Sequence, residues 1–313
     1  MPSATVDVII PLFNGERFIE RTLRSVLDQT VPASKLVVVD DGSTDGGVAL
    51  VNMLFAEYKG PTATELVQQP NSGPNAARNL GMRHCSSSFV AFCDADDVWM
   101  PGKIEQQLRV FEHAQGEDLQ LVYCQGHWID AYDEPVEGLS LNSPEPLRGR
   151  VFDRLLLRNV ITGSASSAMV RRSVFSTVGT FDESLRASED YDMWLRIAQV
   201  GSIDLAEADL VGIRRHPYNT TKSTLYMLEG LLRFNAKWFE QVKDRPDVLN
   251  EWGHLIALFA AQAPDRKAAR RLVRQILRPA QRRALFARAG GSLRTYVLLK
   301  RVRALLSPEP KRS

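Results

Sequence analysis

Two apolar runs end in clustered acid. "FVAFCDADDVW", residues 89–99, drives five apolar residues into Asp94, Asp96 and Asp97. Carboxylates held this close repel one another, so the cluster is costly unless a cation neutralises it. "KLVVVDDGSTDG", residues 35–46, ends in Asp40 and Asp41 in the same manner. Acids that supply only part of a coordination shell suit Mg²⁺ or Mn²⁺, which keep water and substrate phosphate as their other ligands. One cluster offering hydrogen-bond acceptors and another asking for a metal-bound polyanion fit a nucleoside diphosphate.

Such residues work together only if the surrounding elements bring them to one edge. Short apolar runs alternate with amphipathic stretches through the first half of the chain, the pattern of βαβ units in an α/β protein with a mainly parallel central sheet. Strands are expected at "VDVIIP", "KLVVVD", "ATELVQQ", "SFVAFCD" and "LQLVYCQG". "ERFIERTLRSVLDQT" places Phe18, Ile19, Leu23, Val26 and Leu27 on one helical face. Ser43 or Thr44 can cap the helix that runs toward Tyr58; further helices are expected from about Asn75 and after Pro101. A loop rich in Pro, Gly, Ser and acids between Ile129 and Pro146 reads as a boundary. Beyond it come a helix near 151–157, a strand at "SSAMVR", a helix at "EDYDMWLRIAQVG" and strands around 205–215. From Thr224 the pattern is helical, broken at Pro246, Pro264, Pro279 and Gly290-Gly291. Ligands of open α/β sheets collect outside the carboxyl ends of the strands. Asp40, Asp41, Asp94 and Asp96 all stand at such ends.

At 313 residues, with 44% hydrophobic and 24% charged residues, the composition excludes a disordered or fibrous chain and leaves room for a catalytic domain with an extension. The three cysteines, without metal-type spacing, read as buried thiols of a reducing compartment. The first residues lack a secretory pattern, and no apolar run reaches the roughly 20 residues of a membrane span. A cytoplasmic location, at most peripheral on the membrane, is expected. Charge is unevenly distributed: from Asp265 onward there are 15 Lys and Arg against two acids, whereas the rest of the chain has 24 basic and 35 acidic residues. In this basic tail "SLRTYVLLKRVRALL" interleaves Leu293, Val297, Leu298 and Leu305 with Arg294, Lys300, Arg301 and Arg303, which suits an anionic membrane surface. Few aromatics accompany the arginines, so nucleic acid is not an expected partner. A tail folded back on the acidic body is the plainer alternative.

Five motifs in this order resemble family 2 glycosyltransferases with the glycosyltransferase A fold: "VIIPLFNG" at Val8, "VDDGSTDG" at Val39, "NSGPNAARNLG" at Asn71, "DADD" at Asp94 and "SEDYDMW" at Ser188. The resemblance covers about residues 6–215. It implies a catalytic domain over 1–223, with a nucleotide-binding half at about 1–128 and an acceptor half at about 147–223, followed by a helical, basic C-terminal extension over 224–313. It also implies an inverting, metal-dependent transfer from a nucleotide-sugar donor, UDP-linked, to a glycan or lipid-linked glycan. By that resemblance Pro11, Asp41 and Arg78 lie at the nucleotide, Asp41 hydrogen-bonding its base. Asp94 lies nearer the ribose or a metal-bound water, Asp96 is the direct ligand of Mg²⁺ or Mn²⁺, and Asp190 is the general base. His216, in "RRHPYN", is either a structural histidine at a strand end or a group that reaches the metal or diphosphate. The chain lacks the Gln-x-x-Arg-Trp motif and the spanning helices of processive synthases, which implies one or few sugars per encounter.

Plainer readings stand beside these. Asp40 and Asp41 suit a simple turn. Asp94 and Asp96 also resemble the nucleophile strand of haloacid-dehalogenase-like phosphatases, although three strands precede them here. Asp97 can cap the helix after Trp99, and Glu189 and Asp190 can cap theirs, whose N-terminus is expected to lower the Asp190 pKa. Tyr191 and Trp194 suit core or acceptor wall, and Arg214 or Arg215 either steadies a diphosphate or is a solvated charge. The alternative of another class is a non-catalytic nucleotide-sugar-binding protein or membrane-recruited scaffold. A scaffold need not keep Asp41, Asp94, Asp96 and Asp190 together, which favours the enzyme.

Overall fold

Strand register decides where the acids go. In the computed structural model, which describes residues 4–114, 118–138, 141–143, 145–161, 165–216 and 223–287, the strands are β1 (Val6–Leu12), β2 (Lys35–Asp40), β3 (Ala63–Gln68), β4 (Phe89–Phe92), β5 (Val98–Trp99), β6 (Leu119–Ile129), β7 (Met169–Arg171) and β8 (Ser202–Arg214). They form one sheet in the order β3-β2-β1-β4-β7-β6-β8-β5. β1, β2, β3 and β4 pair in parallel, as do β6 and β8, while β7 runs antiparallel to both β4 and β6, and β5 antiparallel to β8. The carboxyl ends of β1, β2, β4, β6 and β8 therefore share an edge. Reversed β7 delivers the residues just before it to that edge, where Met169 stands opposite Ala91.

The connecting helices are α1 (Ile19–Leu27), α2 (Gly47–Glu57), α3 (Pro74–Arg83), α4 (Lys103–His113), α5 (Phe152–Leu157), α6 (Phe175–Val178) and α7 (Glu189–Val200). β1 is covered on both faces, so it reads as a continuous apolar run rather than an alternating one. Val8, Ile10 and Leu12 join a core with Ile19, Leu23 and Val26 of α1, Val51 and Leu54 of α2 and Ile104, Leu108 and Phe111 of α4. The intervening Ile9 faces α3 closely: a Cβ on Gly81 would lie 2.6 Å from Ile9 Cγ2. Only glycine lets α3 settle this near the sheet.

Four expectations change locally. Neither Ser43 nor Thr44 caps α2, whose N-cap is Gly46. Ser43 Oγ instead accepts from the Asn14 amide at 2.9 Å, and the Thr44 amide donates to Asn14 Oδ1 at 2.8 Å, so this loop braces the segment after β1. The strand at "SSAMVR" begins only at Met169, because Ser166 and Ser167 lie in a 3-10 turn, Ala165–Ser167. The strands expected around 205–215 form one strand that starts at Ser202. Asp97 is not a helix cap: the N-cap of α4 is Gly102. The three cysteines are buried free thiols, burial pushing Cys85 up to about 12 and Cys124 up to about 11, so they stay protonated and unreactive.

The chain divides into two compact units. One comprises Met1–Leu155, Asn159–Glu183 and Asp190–Pro217; the other comprises Leu156–Arg158, Ser184–Glu189 and Tyr218–Ser313. In the second, α8 (Thr224–Val242), α9 (Pro246–Gln262), α10 (Arg266–Ile276) and α11 (Pro279–Leu285) follow one another, Pro246 and Pro279 each opening a helix where no amide is needed. Phe234 of α8 meets Trp252 of α9 edge-on at 5.2 Å in its core. Gly290, Gly291 and the segment "SLRTYVLLKRVRALL" lie outside the described residues. No described helix is long and apolar enough to cross a membrane.

Candidate active site

The acids after β4 occupy a tight turn, with the Asp97 amide donating to the Asp94 carbonyl at 3.1 Å. The four residues of the turn are held from three other places in the fold. The Asp94 amide donates to Ser166 Oγ at 2.9 Å, Thr22 Oγ1 of α1 donates to the Ala95 carbonyl at 3.0 Å, and Arg214 Nε donates to the Asp96 carbonyl at 2.7 Å. Asp97 is buried and accepts from Ser166 Oγ and the Arg214 amide. Burial holds its carboxyl well above the usual carboxylate range, and the neighbouring Asp96 and Asp94 add to this.

Arg214, at the end of β8, is a buried pin rather than a solvated charge. Its guanidinium also donates to the Asp130 carbonyl at 2.7 Å, pairs with the Asp133 carboxylate and lies 4.7 Å from the Phe18 ring centroid. It thereby ties the Asp94–Asp97 turn to the turn after β6. Two residues on, the His216 ring packs tilted against the same Phe18 ring, with centroids 4.8 Å apart. The same ring places Nε2 2.8 Å from Asp96 Oδ2. The strand-end histidine therefore faces Asp96, the second acid of the Asp94–Asp97 turn.

Asp94 has a different partner. Arg78 Nη2 donates to Asp94 Oδ1 at 2.7 Å from the buried face of α3. α3 itself is anchored by Asp41, which directly follows β2 and is buried. Asp41 accepts from Gln69 Nε2 and the Ser72 amide at 2.7 Å each and from the Gly73 amide, at the N-terminus of α3, at 2.8 Å. Gly42 makes this junction possible, with φ +76° and a Cβ position only 2.9 Å from the Asn71 amide nitrogen. Pro11 sits on β1 opposite Val39, one strand from these acids. Asp190 lies in the first turn of α7, its Oδ1 accepting from the Tyr191 amide at 2.7 Å. Its pKa is raised, not lowered as its place at a helix N-terminus suggests. Burial is the largest cause and the Asp94 charge adds to it, outweighing the Tyr191 amide and Arg78. Asp190 thus shares the electrostatic neighbourhood of the Arg78–Asp94 pair. Tyr191 and Trp194 are core, the tyrosine hydroxyl donating to the Leu155 carbonyl at 2.6 Å.

With these residues at one sheet edge, the comparisons with known proteins become informative. Residues 7–179 match the family described as "Glycosyl transferase family 2". The chain belongs to glycosyl transferase family 2. The enzyme is 30% identical over 230 residues to an uncharacterized glycosyltransferase of Rickettsia prowazekii, a match covering 72% of this chain and 69% of that protein. It is 29% identical over 244 residues to TuaG of Bacillus subtilis, described as a putative teichuronic acid biosynthesis glycosyltransferase, covering 74% of this chain and 92% of TuaG. Its fold is that of S. aureus TarS: the structure of residues 1–349 with UDP superposes with a TM-score of 0.55 at 19% identity, and that with UDP-GlcNAc with 0.59 at 17%, each covering 98% of this chain and 93% of that one. The mostly parallel sheet with flanking helices and a helical C-terminal extension is a glycosyltransferase A-like architecture.

Among the described residues no three His, Cys, Asp or Glu side chains gather into a self-sufficient metal site. The donor set that does form is one carboxylate and one imidazole, Asp96 and His216. Such a pair fits a cation that takes its other ligands from phosphate and water.

Sequence reasoning singled out neither Thr22 nor Ser166 as a builder of this site, and Arg214, expected to steady a diphosphate or to stand in solvent, instead braces the turn that carries the acids. Thr22 did leave a signal, a hydroxyl in the apolar stripe formed by Ile19, Leu23 and Val26. Lysine cannot reproduce the forked contacts of Arg214. Arg214→Lys is expected to cost about 1–3 kcal/mol through lost charged hydrogen bonds and to speed hydrogen exchange at the Tyr132 and Glu134 amides, both of which bond to Asp130 Oδ1. Denaturant unfolding and amide exchange by mass spectrometry check both.

Proposed function

We propose that the enzyme is an inverting, metal-dependent transferase that moves one sugar from a UDP-linked donor to a glycan or lipid-linked glycan of the cell envelope. The observation that carries this reading is the pairing at one sheet edge of Asp96 with His216 and of Arg78 with Asp94. Asp190 stands in the field of the second pair. The crystallised UDP and UDP-GlcNAc complexes of TarS, alike in fold, support a uridine diphosphate donor. The description of TuaG supports an envelope glycan as product.

In this reading the half of the domain at about 1–128 binds the nucleotide, with Pro11 and Asp41 at its base and Arg78 and Asp94 toward its ribose and diphosphate. Asp96 and His216 would hold Mg²⁺ or Mn²⁺, which supplies Lewis-acid stabilisation to the negative charge that develops on the departing diphosphate. Arg78 adds fixed positive charge beside Asp94. The half at about 147–223 presents Asp190 to the acceptor hydroxyl. Its carboxylate takes the hydroxyl proton as the oxygen attacks the anomeric carbon, and a single displacement inverts that centre.

A raised pKa suits this role, because a base closer in pKa to the operating pH drives proton transfer better. It also carries a cost in stability. Above its folded-state pKa the ionised carboxylate destabilises the fold. As pH falls through that value the folded state takes up a proton before the unfolded state does, so the wild type gains stability on acidification. Asp190→Asn is therefore expected to keep donor affinity and lose about 10²–10⁴ in turnover at saturating donor. The variant should be more stable than wild type at neutral pH, the difference shrinking on acidification. Turnover, calorimetric donor binding and unfolding midpoints across pH test this; near wild-type turnover would place the base elsewhere.

The basic extension is the enzyme's anionic-membrane contact in this proposal. α10 buries Ala269 and Val273 and leaves Arg266, Lys267, Arg270, Arg271 and Arg274 exposed, with no acid between Arg266 and Ala287. Basic residues near an anionic surface contribute about 1 kcal/mol each. The enzyme is expected to sediment with phosphatidylglycerol vesicles at low salt, less at high salt, and less when Arg270, Arg271 and Arg274 are all changed to Gln. Equal sedimentation of the triple variant would remove this face from membrane binding.

A further inference from the structure

Ser166 sits at a junction that no motif of the sequence marks. It precedes β7, the reversed strand, and lies in the 3-10 turn Ala165–Ser167 with its side chain fully buried. Its hydroxyl does two jobs, accepting from the Asp94 amide at 2.9 Å and donating to Asp97 Oδ2 at 2.5 Å. One oxygen thus clips the first residue of the Asp94–Asp97 turn to the last, and the Asp97–Asp94 main-chain bond closes the same turn.

The clip is itself immobilised from behind. Trp99 Nε1 donates to the Ser166 carbonyl at 3.1 Å, and Gln107 Nε2 donates to the Ser167 carbonyl at 2.8 Å and to the Val122 carbonyl of β6 at 2.9 Å. Lys103, buried and 3.9 Å above the Trp99 ring, donates to Gln107 Oε1 at 2.7 Å and so fixes which way the Gln107 amide points. On the far side, Asp97 Oδ1 accepts from the Arg214 amide at 3.0 Å, and Arg214 also holds the Asp96 carbonyl. Hydrogen bonds from α4 and β5 thus fix the main chain of Ser166 and Ser167, while β8 holds the main chain that carries Asp96.

We propose that Ser166 and Asp97 are positioning residues for the donor site: their buried hydrogen bond sets the mutual placement of the Asp94 and Asp96 carboxylates. The proposal rests on the reading of Asp96 as a metal ligand and goes beyond it in assigning roles to two buried side chains behind the acids. Groups that orient metal ligands typically change metal affinity by about 10–100-fold when removed. A misplaced pair harms Mg²⁺ more than Ca²⁺, because Mg²⁺ demands near-ideal octahedral geometry and Ca²⁺ accepts irregular shells.

The experiment titrates Mg²⁺ and Ca²⁺ calorimetrically into the full chain at saturating UDP, and UDP alone without metal. Ser166→Ala is expected to weaken Mg²⁺ binding about 10–100-fold, to weaken Ca²⁺ binding less, and to change metal-free UDP affinity less than either. Asp97→Asn keeps size and the bond from the Arg214 amide but turns a donor toward Ser166; it should show the same shift in metal preference and serves if Ser166→Ala does not fold. A folded variant that keeps wild-type Mg²⁺ affinity and the wild-type Mg²⁺/Ca²⁺ ratio overturns the proposal. Loss of fold in both variants also overturns it, by assigning the pair to the core. Asp96→Ala, run in parallel, tests the underlying reading: if it retains metal-dependent UDP binding, the donor-site assignment itself fails.

Discussion

Mutual repulsion among three carboxylates in four residues is the constraint around which the catalytic unit is organised. Left to itself the "DADD" turn would open. It is held shut because every carbonyl and carboxylate that faces inward finds a donor: Thr22 for Ala95, Arg214 for Asp96, and Ser166 with the Arg214 amide for Asp97. The buried Asp97 is the costly member, since burial opposes its ionisation. That cost is tolerable only because two donors meet it. Arg78 and His216 then address Asp94 and Asp96 individually, which gives the two acids of the motif distinct electrostatic surroundings.

The sheet topology follows from the same need. Parallel strands β1, β2 and β4 bring the acids to one edge, but their hydrogen-bonding partners come from far along the chain. A reversed β7 returns Ser166 to that edge, and a long β8 delivers Arg214 and His216 to it. A purely parallel arrangement would bring the residue after β7, not the one before it, to the acids. The antiparallel interruption is thus part of how the site is assembled, and α3, seated on β1 through Gly81, brings Arg78 from the remaining side.

Much of this was legible in the residues. Apolar runs ending in Asp40 and Asp94 gave strands and their carboxyl ends, because burial on both faces leaves continuous Val, Ile and Phe. The helical face of Ile19, Leu23 and Val26 was equally clear. What stayed hidden were interactions set by long-range placement. Ser43 and Thr44 look like helix caps locally, yet Asn14 competes for them from 29 or more positions away. Asp97 looks like a cap, yet Ser166 lies 69 positions on. The Asp190 carboxyl illustrates the same limit in electrostatics: a helix N-terminus predicts a lowered pKa, but burial, which depends on everything packed around it, raises it.

In the proposed function, Asp96 and His216 are an incomplete cation site that a nucleotide diphosphate completes. Completion by shared ligands makes the two binding events reciprocal, each tightening the other by the same factor. The direct measurement is Mn²⁺ binding to the full chain with and without UDP, followed by paramagnetic resonance of the free ion. Weak Mn²⁺ binding alone, strengthened by UDP and matched by an equal gain in UDP affinity when Mn²⁺ is present, is the predicted result. UDP binding with the same affinity in the presence and absence of Mn²⁺ would contradict it.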